Sequence, residues 1–366
     1  MTVLLHLCAP ADWRAALDDG ALHPSGPFVH LSYPEQVHLP ARRLFPGRRD
    51  VLLLVVDPAR LWPRPGYRPE LAKGGEDGVL ALFGPLPTRA VVAVVPYRPP
   101  VPPRLPAPDD ALGRAWALTA SFAVRRAARV RDVPGGVAVT DPQFVHSHEH
   151  NRLVLDGPVD AAAVAASAAG LPTPTAVLLR PDAATVAAGL AARGWTAEEL
   201  VVMARSPAPA LPGGDRAEVV SVAAAAAFRE AGWRRDLPAD LPDREEVVAQ
   251  LVGREARLEP VAAVSEVVVR EGGRVVAAGQ LRVDGATAGL EAVATEPAAR
   301  GRGYGDAVLA RALGEAAAAG CDLVVLEALA DDWPRHWYAR RGFAVVGTTW
   351  EATAPQVGGA TQDSSR

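Results

Sequence analysis

The alternation of apolar and polar residues divides the chain into strands and helices, which fall into three segments. In the first segment, residues 1–6 predict a strand and residues 10–17 a short helix. The apolar runs at 51–56 and 90–95 predict two more strands, with turn-forming residues between them. This pattern indicates a small α+β domain.

The second segment begins with an amphipathic helix, predicted over residues 112–131, that carries Trp116, Leu118 and Phe122. The arginines within 125–131 are expected on the solvated face of that helix, although such a basic run is also found in nucleic-acid-binding proteins. The elements predicted after it are strands at 136–140 and 152–155, a helix at 160–170, a strand at 176–180, a helix at 182–193 and a strand at 200–204.

The third segment combines a hairpin with an alternation of strands and helices, which predicts an α/β core. Gly272 and Gly273 suit the tight turn of the hairpin. The predicted elements are a strand at 217–221, helices at 222–232 and 243–255, hairpin strands at 263–270 and 274–283, a strand at 288–295, a helix at 304–319, a strand at 322–328, a helix at 334–341 and a strand at 344–348.

Proline and glycine mark the domain boundaries. Residues 95–108 (VPYRPPVPPRLPAP) predict a stiff, extended spacer, and residues 205–215 form a softer break. Five parts result: a domain at 1–95, a proline-rich linker at 96–108, two α/β segments at 109–205 and 216–354, and a frayed polar tail at 355–366.

Composition limits the class of protein. Of the 366 residues, 49% are hydrophobic and 22% charged, which indicates several globular cores, and the net charge of −4 argues against nucleic acid or an anionic membrane as partner. The two cysteines, Cys8 and Cys321, cannot form a disulfide framework. With neither a membrane-length apolar run nor a signal-peptide pattern, the chain is expected to be cytoplasmic.

The sharpest chemical motif is a glycine-rich turn at residues 300–305 (RGRGYG), between a predicted strand and a predicted helix. Backbone N–H groups at such a turn, together with the helix dipole, favour a pyrophosphate. A P-loop is excluded because no Gly-Lys-Ser/Thr follows, and a dinucleotide fingerprint because Gly305 comes one residue too early.

The third segment resembles the GNAT family of acetyl-CoA-dependent N-acyltransferases. The resemblance rests on residues 290–297 (LEAVATEP), the turn at 300–305 and residues 337–343 (WYARRGF), in the family's order over about 130 residues. It implies a GNAT fold for 216–354, acetyl-CoA as cosubstrate and direct attack by a primary amine. Small amines, antibiotics, polyamines and protein amino groups all remain open as acceptors.

The same resemblance assigns roles to residues. Tyr338 matches the general acid that protonates the departing thiolate, and Glu291 is a candidate base that accepts the amine's proton directly or through water. The backbone of the motif strand is expected to bind the pantetheine arm, and the turn the pyrophosphate. The cofactor-binding residues predicted in this way are Ala292, Val293, Ala294, Arg300, Gly301, Arg302, Gly303, Tyr304 and Gly305.

The second segment resembles a degenerate half of a tandem GNAT arrangement, with a similar order of strands and helices but no glycine-rich turn. Within it, His146, His148 and His150 alternate, a spacing that could place them on one face of a strand as metal ligands. A polar loop is the expected interpretation, since no further ligand lies nearby, and no metal is predicted.

Residues 1–95 resemble the family called domain of unknown function 952, through Leu5-His6, Trp13, residues 28–32 (FVHLS), residues 51–58 and residues 83–87. The resemblance implies an ADP-ribosyltransferase-like fold. His30, Ser32 and Glu70 are candidates for a nucleotide-type pocket there.

Two other functions stay open beside the acetyltransferase. One is an acyl-CoA sensor that binds without turnover, and the other is a nucleotide- or NAD-directed activity of the N-terminal domain. The expected partner is a small-molecule or peptide amine, and the sequence leaves the oligomeric state open.

Overall fold

The computed structural model describes residues 3–61, 71–74 and 79–355. Its N-terminal part is a small α+β unit. Its elements are β1 (Leu4–Cys8), α1 (Pro10–Asp19), β2 (Ala21–Leu22), β3 (Val29–Leu31), α2 (His38–Leu44), β4 (Leu52–Val56), β5 (Leu71–Gly74), β6 (Val79–Leu82), β7 (Leu86–Pro87) and β8 (Val91–Pro96).

Strand β4 lies between β1 and β8 in an antiparallel sheet, and a bridge between Leu5 and Ser32 links β1 to the sheet of β3, β6 and β5. All residues of β4 are buried because separate apolar clusters cover its two faces, one around Trp13 and one reaching Ala286 of the C-terminal part. The continuous apolar run at 51–56 follows from this two-sided burial.

The rest of the chain alternates strands and helices. Its elements are α3 (Ala111–Arg126), β9 (Arg129–Val133), β10 (Gly136–Thr140), β11 (Arg152–Leu155), α4 (Ala161–Ala168), β12 (Thr175–Leu178), α5 (Ala183–Ala191), β13 (Thr196–Arg205), β14 (Glu218–Val220), α6 (Ala226–Asp236), α7 (Arg244–Gly253), β15 (Ala263–Glu271), β16 (Arg274–Asp284), β17 (Thr287–Thr295), α8 (Tyr304–Ala318), β18 (Leu323–Leu329), α9 (Pro334–Ala339) and β19 (Ala344–Thr353). The predicted α/β architecture is confirmed.

In the described part of the chain, eleven of these strands form one mixed sheet of order β14-β15-β16-β17-β18-β13-β19-β12-β11-β10-β9. Helices α4, α5 and α8 pack on one face. Helix α3 and residues 254–262 pack on the other, which we call the α3 face. Helices on both faces of a sheet that contains parallel pairs are typical of α/β proteins.

The second and third segments of the chain each contribute a strand to the middle of this sheet, where the strands of the two segments alternate. Strand β13 of the second segment lies between β18 and β19, and β19 lies between β13 and β12. Residues 196–205 therefore complete the C-terminal half of the sheet, and residues 344–353 join it to the preceding half. This exchange makes the two halves one continuous structure.

The predicted helix at 112–131 is wrong at its C-terminal end. Helix α3 ends at Arg126, and β9 pairs with β10 through a turn that contains Gly135 at positive φ. Arg125 and Arg126 are buried in ion pairs with Asp284 and Glu149, so the solvated face predicted for them is also wrong. An arginine that will be neutralised by a distant carboxylate has the same local pattern as a solvated one.

The proline-rich residues 97–108 contain no helix or strand but pack against the second segment instead of spanning solvent. Tyr97 and Pro106 are buried. The Arg104 guanidinium lies 5.3 Å from the centre of the Trp116 ring and donates a 2.9 Å hydrogen bond to the Leu179 carbonyl. These contacts hold the linker in place.

The N-terminal unit is fixed to the turn between β16 and β17. Trp13 Nε1 donates a 2.7 Å hydrogen bond to the buried Asp284 carboxylate, and Thr287 Oγ1 donates one of 2.7 Å to the Val92 carbonyl. Gly285 has a φ of 78°, and a Cβ there would lie 2.4 Å from the Val91 carbonyl oxygen. Only glycine permits this close approach of the two parts.

Candidate functional site

Strands β17 and β18 pair only at one end and then separate. Their parallel ladder joins residues 287–289 to residues 323–325. Beyond it, β17 continues along β16, while β18 continues along β13 to Leu329. Within the described residues, the β18-facing edge of residues 290–295 therefore pairs with no strand, and we call this gap the β17–β18 opening.

A β-bulge directs β17 away from β18. The register with β16 shifts between Ala278 and Gln280, and Ala292 has a φ of 51°. Gly279 faces the bulge because a Cβ there would lie 2.8 Å from Val308 Cγ1 and 3.2 Å from Val293 Cγ2. A bulge bends its strand and interrupts the ladder, so the opening follows from this local geometry.

The glycine-rich turn lies between β17 and α8. Gly301 and Gly303 both have a φ of 75°, in the left-handed region that glycine adopts without strain. No side chain caps the N-terminus of α8, which leaves the first amides of this 15-residue helix available to a ligand. A Cβ on Gly305 would lie 3.3 Å from Trp337 Cζ2, so the helix approaches α9 closely here.

Side chains of the turn are held by contacts with neighbouring strands. Arg302 forms a 2.8 Å ion pair with Glu271, whose carboxylate also accepts a 3.1 Å hydrogen bond from the Tyr304 hydroxyl. The Arg216 guanidinium lies 5.0 Å from the centre of the Tyr304 ring. Arg300 Nε lies 3.4 Å from the Thr295 carbonyl oxygen. These contacts orient the turn. The three arginines outnumber the one glutamate among these groups, so the surroundings of the turn are basic.

The three predicted pantetheine-binding residues lie at the bulge, but they are not equally available. The Ala292 carbonyl accepts a hydrogen bond from the Arg229 guanidinium, which in turn is paired at 2.6 Å with the buried Glu266. Val293 and Ala294 follow directly along the strand edge. The Ala292 oxygen is therefore already used inside the protein.

Tyr338 lies on α9, opposite the α3 face, in the apolar cluster that contains Leu290 of β17 and Leu326 of β18. Burial raises the pKa of its hydroxyl to about 12. The ring packs edge-on against Trp337 and Phe343, at centroid distances of 4.8 and 5.7 Å. Tyr338 is thus a protonated phenol close to the two strands that separate.

Two glutamates occupy corresponding positions on either side of the opening. Gly289 and Val325 are the last pair of the parallel ladder. Glu291 lies two residues beyond Gly289, and Glu327 lies two residues beyond Val325. Since side chains alternate along a strand, both carboxylates point to the α3 face. Glu291 forms a 2.8 Å ion pair with Arg282 of β16.

Glu327 combines exposure with a strongly perturbed pKa. Its side chain is open to solvent, yet its pKa is raised to about 7, mainly because protein around the carboxylate displaces water and also because Glu351 and Glu291 repel its charge. A hydrogen bond from Thr349 opposes the shift. Glu327 is therefore an exposed carboxylate whose negative charge is disfavoured by its surroundings.

Two further carboxylates on this face, Glu351 and Glu149, are paired with arginines. Arg152 of β11 lies 3.0 Å from Glu351 of β19, and Arg126 of α3 lies 3.2 Å from Glu149. Although burial acts to raise it, the pKa of Glu149 is held well below its usual range by nearby arginines, with Arg254 the strongest. We call the set of carboxylates Glu149, Glu291, Glu327 and Glu351 the α3-face acidic patch.

Glu327 is not among the site residues predicted from the sequence, although the sequence contains a signal for it. It is the single charged residue in the apolar strand Leu323–Leu329, at a position that alternates with buried ones. A carboxylate in such a strand is costly unless it is paired or functional.

The histidine-rich motif of the second segment lies in a loop with a short 3-10 helix at His148–His150, so its histidines do not alternate along a strand. Ser147 Oγ lies 3.0 Å from His150 Nδ1, both side chains are buried, and burial is the main reason that the pKa of His150 is lowered to about 3. Among the described residues, no group of three or more His, Cys, Asp or Glu is placed to hold a metal ion.

In the N-terminal unit, the structure places two histidines together. His6 Nδ1 lies 2.7 Å from the His30 carbonyl oxygen, and burial lowers the pKa of His6. The His30 side chain is exposed, whereas Ser32 is buried. Glu70, the third predicted residue, and residues 356–366 of the predicted tail lie outside the described residues. None of the described helices has the length and apolar character that a membrane span requires.

Two protein families match parts of the chain. Residues 264–345 match the acetyltransferase (GNAT) domain, and residues 7–94 match the protein of unknown function DUF952. The resemblances predicted for the first and third segments are therefore confirmed, while that of the second segment to a degenerate GNAT half stays a prediction. No curated protein matches the chain.

Three of the solved structures that match the chain cover between 26% and 66% of it. A GCN5-related N-acetyltransferase from Kribbella flavida is 19% identical, with a TM-score of 0.46 over 66% of this chain and 96% of its own. A functionally unknown conserved protein from Staphylococcus epidermidis is 10% identical, with a TM-score of 0.46 over 63% and 95%. Protein CC0527 from Caulobacter crescentus is 25% identical, with a TM-score of 0.23 over 26% and 85%.

Proposed function

Since the chain contains a GNAT acetyltransferase domain, we propose that it is an acetyl-CoA-dependent N-acetyltransferase acting on a primary amine by direct attack. The observation that carries the proposal is the β17–β18 opening, which lies directly before the glycine-rich turn and the uncapped start of α8. An unpaired strand edge suits the amides of a pantetheine arm, and a helix N-terminus suits a pyrophosphate.

On the donor side, the backbone of Val293 and Ala294 is proposed to bind the pantetheine amides, and the amides of residues 300–305 the pyrophosphate. The carbonyl of Ala292 already accepts from Arg229, so only its N–H is proposed to contribute. The guanidinium groups of Arg300 and Arg302 lie beside the turn and add positive charge.

On the acceptor side, the nitrogen lone pair attacks the thioester carbonyl carbon, and the C–S bond breaks. A carboxylate on the α3 face, predicted from sequence to be Glu291, accepts the proton lost by nitrogen. Tyr338, on the opposite face, donates its proton to the thiolate of CoA. The donor lies between a base and an acid in this arrangement, and holding both reactants there supplies much of the rate.

The test uses the full chain with acetyl-CoA and a panel of primary amines, and follows the release of free thiol with a chromogenic disulfide. Cys8 and Cys321 are buried with their thiol pKa raised to about 12, so the protein's own background is low. Amine-dependent thiol release that requires Tyr338 supports the proposal. Tight binding of acetyl-CoA by calorimetry without release for any amine would instead favour the sensor.

A further inference from the structure

The two carboxylates beside the opening differ in their partners. Glu291 is within 2.8 Å of the Arg282 guanidinium, so its charge is already balanced. Glu327 lies within 4.0 Å of no arginine or histidine nitrogen in the described part of the chain, and its hydrogen bond comes from the neutral Thr349 hydroxyl. Of the two, only Glu327 lacks a cationic partner.

The surface around Glu327 is acidic toward a ligand. Of the carboxylates, Glu291 is 42% exposed and Glu351 37%, whereas their partners Arg282 and Arg152 are only 6% and 9% exposed. The guanidinium groups are therefore much less accessible than the carboxylates that they neutralise. A ligand that approaches the α3-face acidic patch meets the more exposed carboxylate oxygens, which favours a cationic group and disfavours an anionic one.

Charged groups face Glu327 from three strands: Glu291 from β17, Glu351 from β19 and Arg152 from β11. Helix α3, which covers this face, contributes Trp116, whose Nε1 donates a 3.3 Å hydrogen bond to Thr349. The two negative neighbours favour a proton, or an ammonium group, on Glu327. Arg152 acts in the opposite direction, but its charge is shared with Glu351.

We propose that Glu327 binds the ammonium group of the acceptor and accepts its proton, and that the acceptor is a diamine or polyamine without an acidic group. This inference rests on the proposed function. One N–H bond of the ammonium breaks and one O–H bond forms on Glu327. The neutral amine then attacks the thioester carbon, and the second ammonium group of the acceptor is held by Glu351 or Glu149.

The first test measures the pH dependence of kcat/KM for the amine with the full chain. The wild type is expected to lose activity as the pH falls below about 7, because protonated Glu327 cannot accept a proton. Glu327→Gln should abolish this acidic limb and lower kcat/KM by about 100-fold or more, with acetyl-CoA affinity unchanged. Glu291→Gln should keep the limb and move it to lower pH, since one repelling charge is removed.

Glu315→Gln is the matched control, since Glu315 lies on α8, on the opposite face, in an i,i+4 pair with Arg311. It should change neither the rate nor the profile. The assignment is overturned if Glu327→Gln keeps both the limb and a rate within tenfold of wild type. If the acidic limb and the rate are both lost in Glu291→Gln but not in Glu327→Gln, the proton is assigned to Glu291 instead.

The second test compares three acceptors of equal chain length: butane-1,4-diamine, butylamine and 4-aminobutanoate. The diamine is expected to exceed butylamine in kcat/KM by about tenfold, and 4-aminobutanoate to be the poorest, because its carboxylate would meet the exposed glutamates. Glu351→Gln should reduce the preference for the diamine over butylamine. Equal values for all three acceptors, or a preference for the amino acid, overturn the acceptor class.

Calorimetry separates failure of this inference from failure of the proposed function. A wild-type chain that does not bind acetyl-CoA refutes the proposed function. If acetyl-CoA binds but no amine is acetylated, butane-1,4-diamine is titrated into the chain saturated with CoA. Binding that Glu327→Gln weakens supports the acceptor site, and absence of binding overturns it.

Discussion

A charge placed in the glycine-rich turn should weaken acetyl-CoA binding, and the structure indicates Gly301 as the position to use. No atom lies within 4 Å of a Cβ built there, whereas a Cβ on Gly303 would lie 3.6 Å from Arg216 Nη1, which could neutralise an added carboxylate. The perturbation is therefore Gly301→Glu, with Gly301→Gln as the matched neutral variant.

The pair of variants separates charge from strain. Both replace a glycine with a φ of 75°, which costs about 1–2 kcal/mol of folding free energy in each. Only the glutamate repels the pyrophosphate. Two negative charges about 6 Å from the carboxylate give a repulsion between about 1.4 kcal/mol with the dielectric constant of water and about 5.5 kcal/mol with an effective value of 20.

Calorimetric titration of acetyl-CoA into both variants measures this difference. At low salt, Gly301→Glu should bind at least about tenfold more weakly than Gly301→Gln, since about 1.4 kcal/mol corresponds to a factor of ten. Near 1 M salt the difference should shrink, because the screening length falls to about 3 Å. Equal affinities of the two variants at low salt would show that the pyrophosphate binds elsewhere.

Three further outcomes are expected. Tyr338→Phe should lower kcat by about 100-fold with the KM for acetyl-CoA and the thermal midpoint unchanged, since the ring packing is kept; a kcat within twofold of wild type would exclude an acid role. Asp284→Ala should lower the free energy of unfolding in urea by about 3–5 kcal/mol, because Arg125 would stay buried without its partner; a loss below 1 kcal/mol would contradict this. Cys8 and Cys321 should both resist a thiol reagent at pH 7 until the chain is unfolded, and rapid labelling of either would contradict their burial.

The sequence by itself was sufficient for most of the longer elements and for the position of the glycine-rich turn at the start of α8. The alternation at 263–283 and the glycine pair at 272–273 predicted the β15–β16 hairpin, whose two turn glycines have φ values of 59° and 81°. The turn at 300–305 was predicted at the start of α8 for the same reason: positive φ and open backbone amides are properties of a few adjacent residues. Its use as a pyrophosphate site stays a prediction.

Strands of two residues were beyond reach of the sequence. Strands β2 and β7 have two residues each and too little periodicity to distinguish them from loops. Their pairing with each other depends on residues more than 60 positions apart. The exchange of β13 and β19 likewise depends on which strands meet, and alternation within one strand carries no information about its neighbour.

Tertiary structure alone decided how the environments of Glu291 and Glu327 differ. Glu291 and Glu327 are 36 positions apart in the printed sequence and look alike there, each a lone glutamate in an apolar strand. Folding gives Glu291 the Arg282 guanidinium and places Glu327 beside two other carboxylates, with its pKa raised to about 7. A residue's type is written in the sequence, but its charge state depends on the distances to other charges and on the water that neighbouring residues displace.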